Sequence, residues 1–202
     1  MVMTRQFDEE SVLDAAVAQF WTYGLQATSM ADLAKATGVQ RGSLYHAYGG
    51  KEQIFCLAFK RYRANLLEES NAALIADNAY EALDRFLKAS ISRMVCNSPA
   101  RGCFTSRTAF SAPTLSEEVL SLLQTLINAQ EALLVKAMSD PRFKKDLILS
   151  PEDTAKLVIC FTRGLAVIER IKGDPHYLEG NAQSLLNALI RKDGHKDFSI
   201  YP

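Results

Sequence analysis

A chain of 202 residues with 48% hydrophobic and 9% aromatic residues can bury a substantial core, which excludes a disordered or fibrous protein. Lysine plus arginine and aspartate plus glutamate both number 23, so net charge indicates no class of partner. No stretch approaches the roughly 18 apolar residues that span a bilayer, and the four cysteines form no Cys-x-x-Cys pair, so we expect a cytoplasmic protein without membrane contact, zinc site or disulfide scaffold.

The first sixty residues carry the signals of four helices at helical apolar spacing. Asp8 is placed to cap the first helix, and Gly24 ends it. Ser29 opens a capping-box-like start for a short second helix. A third short helix is expected over about 40–47, and a fourth begins near Lys51.

Beyond residue 70 the predicted helices become longer, and no convincing strand pattern is present. An amphipathic face runs over 83–95, and a short helical segment follows over 103–110. A long helix is expected over about 116–138. A Ser-Pro pair and an Asp-Pro pair then start two final helices, over about 151–172 and 175–192. The pattern therefore predicts an all-α protein.

The predicted helix over 151–172 is apolar all round, because Leu157–Phe161 are five consecutive apolar residues. Such a helix has to be buried on more than one side. Together with the helix over 175–192 it can form the self-complementary face of a two-fold dimer, built as a four-helix bundle. It can equally be the central helix of a monomeric bundle, and the periodicity leaves both arrangements open.

Three short helices within about forty residues are typical of a helix-turn-helix, which places one helix in the major groove of DNA. Gln40, Arg41 and Ser43 lie in the first turn of the third helix, where glutamine can pair with adenine and arginine with guanine. Gly42 allows a close approach of the backbone to DNA. Other residues offer hydroxyls, a helix N-terminus and a charge to phosphates, although caps and core positions use the same residue types: Thr28, Ser29, Tyr45 and Lys51.

The order and spacing of these residues resemble the DNA-binding domain of the TetR family of bacterial regulators. The resemblance covers roughly residues 8 to 60 and rests on Thr28-Ser29-Met30-x-x-Leu33-Ala34, on Thr37-Gly38-Val39-x-Arg41-Gly42-Ser43-Leu44-Tyr45-His46-x-Tyr48, and on Lys51-Glu52. It implies a homodimer of nine-helix subunits, each with an N-terminal DNA reader and a divergent C-terminal domain that binds an inducer and dimerises. We therefore expect a helix-turn-helix domain over 1–50 and a ligand-binding and dimerisation domain over 51–202, joined by the helix over about 51–68.

Carried over position by position, the resemblance assigns two roles within this domain. It places Gln40, Arg41, Ser43 and Tyr45 at the groove or its edge, and it places Thr28, Ser29, His46 and Lys51 on or near the DNA backbone. Three positions depart from the family's usual pattern: Ala47 replaces an aromatic residue or His, Tyr48 replaces Phe, and Gly50 replaces a polar cap. These departures bear on operator preference rather than on DNA binding.

A shorter resemblance, to one subgroup of the family, lies in the C-terminal half. It is carried by Arg101-Gly102-Cys103-Phe104 with Ala109, and by Thr162-Arg163-Gly164-Leu165-Ala166. Some members of that subgroup use a cysteine at this place to sense electrophiles or oxidants. The resemblance therefore makes Cys103 a candidate sensor.

The surroundings of Cys103 support two interpretations. It follows a glycine at a predicted helix start, with Arg101 and Arg107 near in sequence, and both features lower the pKa of a thiol. Cysteine is also a common small core residue, so a structural role stays open. The other cysteines lie within apolar helix faces and are expected in the core: Cys56, Cys96 and Cys160.

A ligand cavity is expected among the C-terminal helices. Besides Cys103, its candidate lining residues are aromatic, methionine and arginine side chains: Phe86, Met94, Phe104, Arg107, Phe110, Phe161 and Arg163. The two arginines stand within largely apolar helices and therefore need a partner. That partner is either an anionic ligand or an acidic side chain or helix end.

The sequence carries no signature of catalysis. The three histidines have no carboxylate or cysteine at ligand spacing, so no metal is expected, and the absence of a phosphate loop, nucleophile elbow or triad predicts no cofactor and no enzyme. The predicted function is a repressor that leaves a pseudopalindromic operator when an unidentified small-molecule inducer binds or a cysteine is modified. The alternative is a TetR-like, DNA-associated interaction protein without promoter-specific regulation.

Overall fold

The computed structural model describes residues 7–96 and 102–191, and over these ranges the chain is built from ten α-helices. The one β-type contact in the described ranges is an isolated antiparallel bridge between Leu147 and Ile190, so the predicted all-α class is confirmed. No helix in this part of the chain is both long and apolar enough to cross a lipid bilayer. The helices are α1 (Glu9–Tyr23), α2 (Met30–Thr37), α3 (Arg41–Tyr48), α4 (Lys51–Ala73), α5 (Ala79–Val95), α6 (Phe104–Ala109), α7 (Glu117–Met138), α8 (Pro141–Lys144), α9 (Pro151–Lys172) and α10 (Pro175–Leu189).

The helix additional to the expected nine is α8, a single turn that Asp140 caps. Four residues are too few to show an apolar period, so sequence periodicity does not predict this helix. The predicted helix over 175–192 ends at Leu189. Arg101, from the second sequence motif, and residue 192 lie outside the described residues.

Side-chain caps begin α1 and α2 at the two residues that the sequence predicts, Asp8 and Ser29. At α2 the Ser29 hydroxyl accepts the backbone N–H of Asp32 at 3.2 Å, and the Asp32 carboxylate accepts the backbone N–H of Ser29 at 2.9 Å. Each cap of this type contributes about 1 kcal/mol to stability. Gly38 ends α2 with a φ of 69°, in the left-handed region that favours glycine, and so sets the tight turn into α3.

The buried residues form two clusters. One cluster joins α1, α2 and α3 to α4, to Phe104 of α6 and to the first half of α7. The other joins α5, α8, α9 and α10 to the second half of α7. Helices α1–α3 thus share their core with α4 and α6, and the division of the chain after residue 50 stays a prediction.

Phe104 is the centre of an aromatic cluster that links three helices. Its ring centroid lies 5.9 Å from that of Trp21 on α1, and 5.8, 5.6 and 5.1 Å from those of Phe55, Phe59 and Tyr62 on α4. Aromatic pairs at these distances add to ordinary apolar burial. The Trp21 Nε1–H also donates to the Gly102 carbonyl at 3.0 Å. The start of α6 is therefore held directly against α1 and α4.

Helix α9 buries only one of its sides within the chain. The opposite side forms an apolar stripe at a spacing of three or four residues, and Leu157, Val167 and Ile171 on it are 42%, 37% and 72% exposed. The expected burial of α9 on more than one side is therefore not achieved by a single chain. We call this side of α9, together with the exposed face of α10, the α9–α10 face; its exposed positions are Leu157, Cys160, Gly164, Val167, Ile171, Tyr177, Gly180 and Ser184.

The prediction that Cys56, Cys96 and Cys160 lie in the core is correct only for Cys56. Cys160 is exposed on the α9–α10 face, because an apolar run that encircles a helix does not show which side turns inward. Cys96 is exposed because it follows the last turn of α5.

Candidate functional site

The outer side of α3 carries the predicted base-reading residues. Leu44 and Tyr48, four residues apart, are buried and anchor the opposite side of the helix. This anchoring leaves a run of residues exposed on one surface: Gln40, Arg41, Gly42, Ser43, Tyr45 and His46. No heavy atom lies within 4 Å of the position that a Cβ at Gly42 would take, so space is open beside the helix backbone.

Two further features suit this surface to an anionic ligand. The Arg41 guanidinium lies over the Tyr45 ring at 5.5 Å from its centroid, a cation–π contact that orients both side chains. Gln40 makes no side-chain capping bond at the start of α3, so the first-turn N–H groups lack a side-chain acceptor. Such groups are well placed to bind phosphate.

The candidates for phosphate contacts differ in their accessibility. Thr28 is buried, and its hydroxyl donates to the Gly24 carbonyl at 2.7 Å, so its side chain stabilises the α1–α2 turn from within. Ser29 is an exposed N-cap, and Lys51 is half-buried and donates from Nζ to the Gln26 carbonyl at 3.3 Å. Sequence reasoning did not include the exposed Lys35, although a basic residue in the last turn of α2 is a visible signal.

Cys103 is the N-cap of α6, and its environment favours the thiolate. Its Sγ accepts the Ser106 backbone N–H at 3.5 Å, and the Arg163 guanidinium donates to the same sulfur from Nη1 at 3.5 Å. Burial raises the pKa of the Cys103 thiol, but the positive charge of Arg163 and the hydrogen bonds at the start of α6 outweigh burial and lower the pKa overall. Among the described residues, the cation that contacts the sulfur is Arg163 rather than the sequence neighbour Arg107.

Arg163 makes no ion pair with any carboxylate of the described residues. Its Nη2 instead donates to the Gln130 side-chain oxygen, which is buried on α7. The sequence left open an anionic ligand or, alternatively, an acidic side chain or helix end as this partner, and the second alternative is not seen in the described ranges. The thiol and an amide hold the guanidinium in place.

Cys56 provides an internal contrast. It is buried on α4 with no cation at hydrogen-bond distance in the described residues, and burial, together with the charges of Glu118 and Glu52, raises the pKa of its thiol to about 11. Two buried cysteines of one chain therefore have opposite ionisation tendencies, and only Cys103 is prepared for thiolate chemistry.

The predicted ligand-cavity residues do not surround one cavity. Cys103, Arg107 and Phe110 line a crevice of about 380 Å³ between the α1–α2 turn, α6 and α9, which we call the junction crevice. Met94 and Arg163, again with Cys103, line a cavity of about 20 Å³. The other predicted residues pack elsewhere: Phe86 and Phe104 are fully buried in the two cores, and Phe161 is half-buried against the second.

Sequence reasoning missed several lining residues of the junction crevice, including Tyr23, Gln26, Ser106 and Arg170. A signal for Arg170 was available, because its spacing of seven residues from Arg163 places both on one side of α9. The residues of the α1–α2 turn carried no such signal, since their contact with α6 is long-range.

Comparisons with known proteins agree with this geometry. A family model described as bacterial regulatory proteins, tetR family, matches residues 12–56. The HTH-type transcriptional repressor ComR of Escherichia coli (strain K12) is 25% identical over 168 residues, covering 81% of this chain and 80% of ComR. The crystal structure of reduced E. coli NemR has a TM-score of 0.82 at 19% identity, covering 92% of this chain and 98% of that chain.

A further similar structure contains DNA. A cysteine mutant of the TetR family transcriptional regulator CifR, complexed with 26-bp double-strand operator DNA, has a TM-score of 0.79 at 25% identity, covering 92% of this chain and 98% of that chain. The sequence motif, the relatives and the similar structures all indicate DNA binding, which is consistent with the exposed polar residues of α3. Residues 12–56 thus match the family's DNA-binding region, and over most of its length the chain is similar to TetR-family transcriptional regulators that bind DNA.

Proposed function

We propose that the protein is a homodimeric repressor that reads a pseudopalindromic operator with α3 and leaves it when an inducer binds or Cys103 is modified. The observation that carries the DNA-reading half is the exposure of Gln40, Arg41 and Ser43 on one surface of α3, opposite the buried Leu44. Gln and Arg side chains make the bidentate contacts that distinguish base pairs in the major groove. The name of ComR, a repressor, favours repression over activation.

The α9–α10 face is the proposed dimer interface. Leu157, Val167 and Ile171 are exposed along one side of α9, an arrangement that costs free energy in water and is relieved when a second copy covers it. The small residues Gly164 and Gly180 lie on the same face and permit close helix approach. Two copies packed there form a four-helix bundle with two-fold symmetry, which matches the symmetry of a pseudopalindromic operator.

Cys103 is the proposed site of covalent sensing. When its thiolate attacks iodoacetamide, the sulfur bonds to the methylene carbon while the carbon–iodine bond breaks and iodide leaves. The neutral thioether no longer balances the charge of Arg163, which then remains as a half-buried cation with a weaker partner. The cavity of about 20 Å³ on the Arg163 side holds roughly one water molecule, so the added group has to enter the junction crevice or displace α6.

A contiguous set of contacts connects Cys103 to the DNA-reading helix. Phe104 follows Cys103 directly and packs on Trp21, Phe55 and Tyr62, which belong to α1 and α4. Helix α4 begins three residues after α3 ends, so a shift of α4 moves the reading surface. In a dimer this shift changes the separation of the two α3 helices, which no longer match successive major grooves.

The experiment is DNase footprinting on operator DNA selected from genomic fragments, with the protein untreated or treated with iodoacetamide. We expect a symmetric footprint that treatment removes from the wild type and from Cys56→Ser, but not from Cys103→Ser. Loss of the footprint in all three proteins, or in none, contradicts sensing at Cys103. Genome-wide occupancy spread over many dispersed sites, rather than a few promoters, favours the DNA-associated interaction protein.

A further inference from the structure

The junction crevice is formed by both functional parts of the molecule. Tyr23, Gly24, Gln26 and Ala27 contribute from the α1–α2 turn, and the opposite wall comes from α6 and α9. Its volume of about 380 Å³ lies within the range of small-molecule sites in proteins. The α1–α2 turn in turn contacts the DNA-reading region, because the Gln26 carbonyl accepts a hydrogen bond from Lys51.

The polar groups of the crevice are suited to an anion. Arg107 and Arg170 both line it, and no carboxylate is among the lining residues. The Nε of Arg107 is buried and has no hydrogen-bond partner in the described part of the chain, and the same holds for the Ser106 hydroxyl. Both are donor groups, and a buried donor without an acceptor is costly until a ligand supplies one.

One acidic side chain, Glu169, lies beside Arg170 but outside the crevice lining. Glu169 is buried, and its side chain and that of Arg170 both approach Gly102. Burial raises the pKa of the Glu169 carboxyl, against the opposing effect of Arg170. Arg107 has no ion pair among the described residues, and its guanidinium lies against Gly24, whose added Cβ would be 3.8 Å from Nε.

The rest of the lining is apolar or aromatic. Ala27 and Ala166 form part of the walls, and the rings of Tyr23 and Phe110 stand at the crevice while remaining 57% and 71% exposed. Exposed aromatic rings beside a cationic pocket can cover an apolar ligand body and bury their own surface at the same time.

We propose that the junction crevice binds a small organic carboxylate with an aromatic or other apolar body, its carboxylate on Arg107 and Arg170 and its body between Tyr23 and Phe110. The binding itself requires no reaction at Cys103, whereas its regulatory meaning rests on the proposed function. Because the walls come from the α1–α2 turn and from α6 and α9, an occupant changes the free energy of moving these parts relative to each other. Occupancy is therefore coupled to operator affinity.

The probe is benzoate, with benzamide as its neutral isostere, titrated calorimetrically into the full-length protein. Trp21 serves as an optical reporter, since it is the one tryptophan of the chain and donates to the Gly102 carbonyl beside Cys103. We expect benzoate to bind at least tenfold more tightly than benzamide. Arg107→Gln should weaken benzoate binding about tenfold or more, because it removes a charge-assisted contact. Arg142→Gln, a change at an exposed arginine of α8, should leave it unchanged.

A second variant covers the possibility that Arg107→Gln disturbs folding. Ala27 is exposed at the crevice, so Ala27→Phe fills the space without removing a charge or a core contact, and it too should abolish benzoate binding. Equal affinity for benzoate and benzamide, or unchanged benzoate binding in a folded Ala27→Phe protein, overturns the proposal.

The proposal of a carboxylate site and the proposal of sensing at Cys103 can be contradicted independently of each other. Benzoate should still bind to Cys103→Ser and change its operator affinity, whereas iodoacetamide should still release Arg107→Gln from DNA. Benzoate binding that leaves the operator affinity of the wild type unchanged overturns the coupling. A wild-type protein whose operator affinity does not change on treatment with iodoacetamide contradicts only the proposed sensing at Cys103.

Discussion

The proposed DNA-reading surface and the surroundings of Cys103 are organised in contrasting ways. Every residue of the reading surface lies within the stretch 28–51, and local signals such as caps and glycine turns shape it. The Cys103 region is assembled from α1, α6, α7 and α9, and its central contact joins side chains 60 residues apart. The reading surface can therefore keep its local geometry while the contacts around Cys103 change. A regulator requires this division between a constant DNA-binding part and a responsive part.

The strongest test of this division removes the dimer while leaving both regions intact. Val167→Glu combined with Ile171→Glu places charges on the α9–α10 face, and we expect a monomer in sedimentation experiments. Operator affinity should fall about 100-fold or more, because the second half-site contact is no longer linked to the first. Ile75→Glu, at an exposed apolar position on another surface, is the control. A double variant that remains a dimer shows that the interface lies elsewhere.

A substitution in the reading surface should have a smaller effect on operator affinity. Arg41→Ala should weaken specific operator binding by about 1–3 kcal/mol, as measured by fluorescence anisotropy, while leaving the iodoacetamide response in place. Arg142→Ala is the matched control, since Arg142 is an exposed arginine on α8. Wild-type affinity in Arg41→Ala would show that another element reads the bases.

The connection between the two regions should have an effect on stability. Trp21→Phe removes the indole N–H that donates to the Gly102 carbonyl but keeps an aromatic ring in the cluster. We expect a loss of roughly 1–2 kcal/mol in the free energy of unfolding, measured by denaturant titration. A variant as stable as the wild type would mean that this hydrogen bond does not hold α1 to α6.

The smallest expected effect concerns the pH dependence of stability at the two buried cysteines. Cys56 has a raised pKa of about 11, so its contribution is present below the unfolded pKa of about 8.5 and is lost as pH rises towards 11. Cys103 has a lowered pKa, so its contribution is present above the unfolded pKa and is lost as pH falls through the folded pKa.

Denaturation curves between pH 6 and 11 compare the two cysteines. Cys56→Ser should reduce the loss of stability at alkaline pH, and Cys103→Ser should remove part of the gain on going from neutral pH to about pH 9. If the free energy of unfolding depends on pH in the same way in both variants, the two thiols do not differ in pKa as described.

The sequence predicts the local structure around α2 and α3 well for a physical reason. A capping box such as Ser29–Asp32, or a left-handed glycine such as Gly38, is a local event that the residues themselves encode. The contact of Arg163 with Cys103 has no such signal, because it depends on how α6 and α9 pack. The same reason explains the error at Cys160, whose helix is apolar on every side, and the omission of Arg170 from the candidate site.

Methylation interference at guanine N7 on the selected operator is the most direct measurement of the central claim, that two α3 helices read DNA symmetrically through Arg41. With the wild-type protein, methylation should interfere at symmetric guanines separated by about one helical turn or a multiple of it, and with Arg41→Ala this interference should disappear. Interference confined to one half-site, or unchanged in Arg41→Ala, would contradict the account.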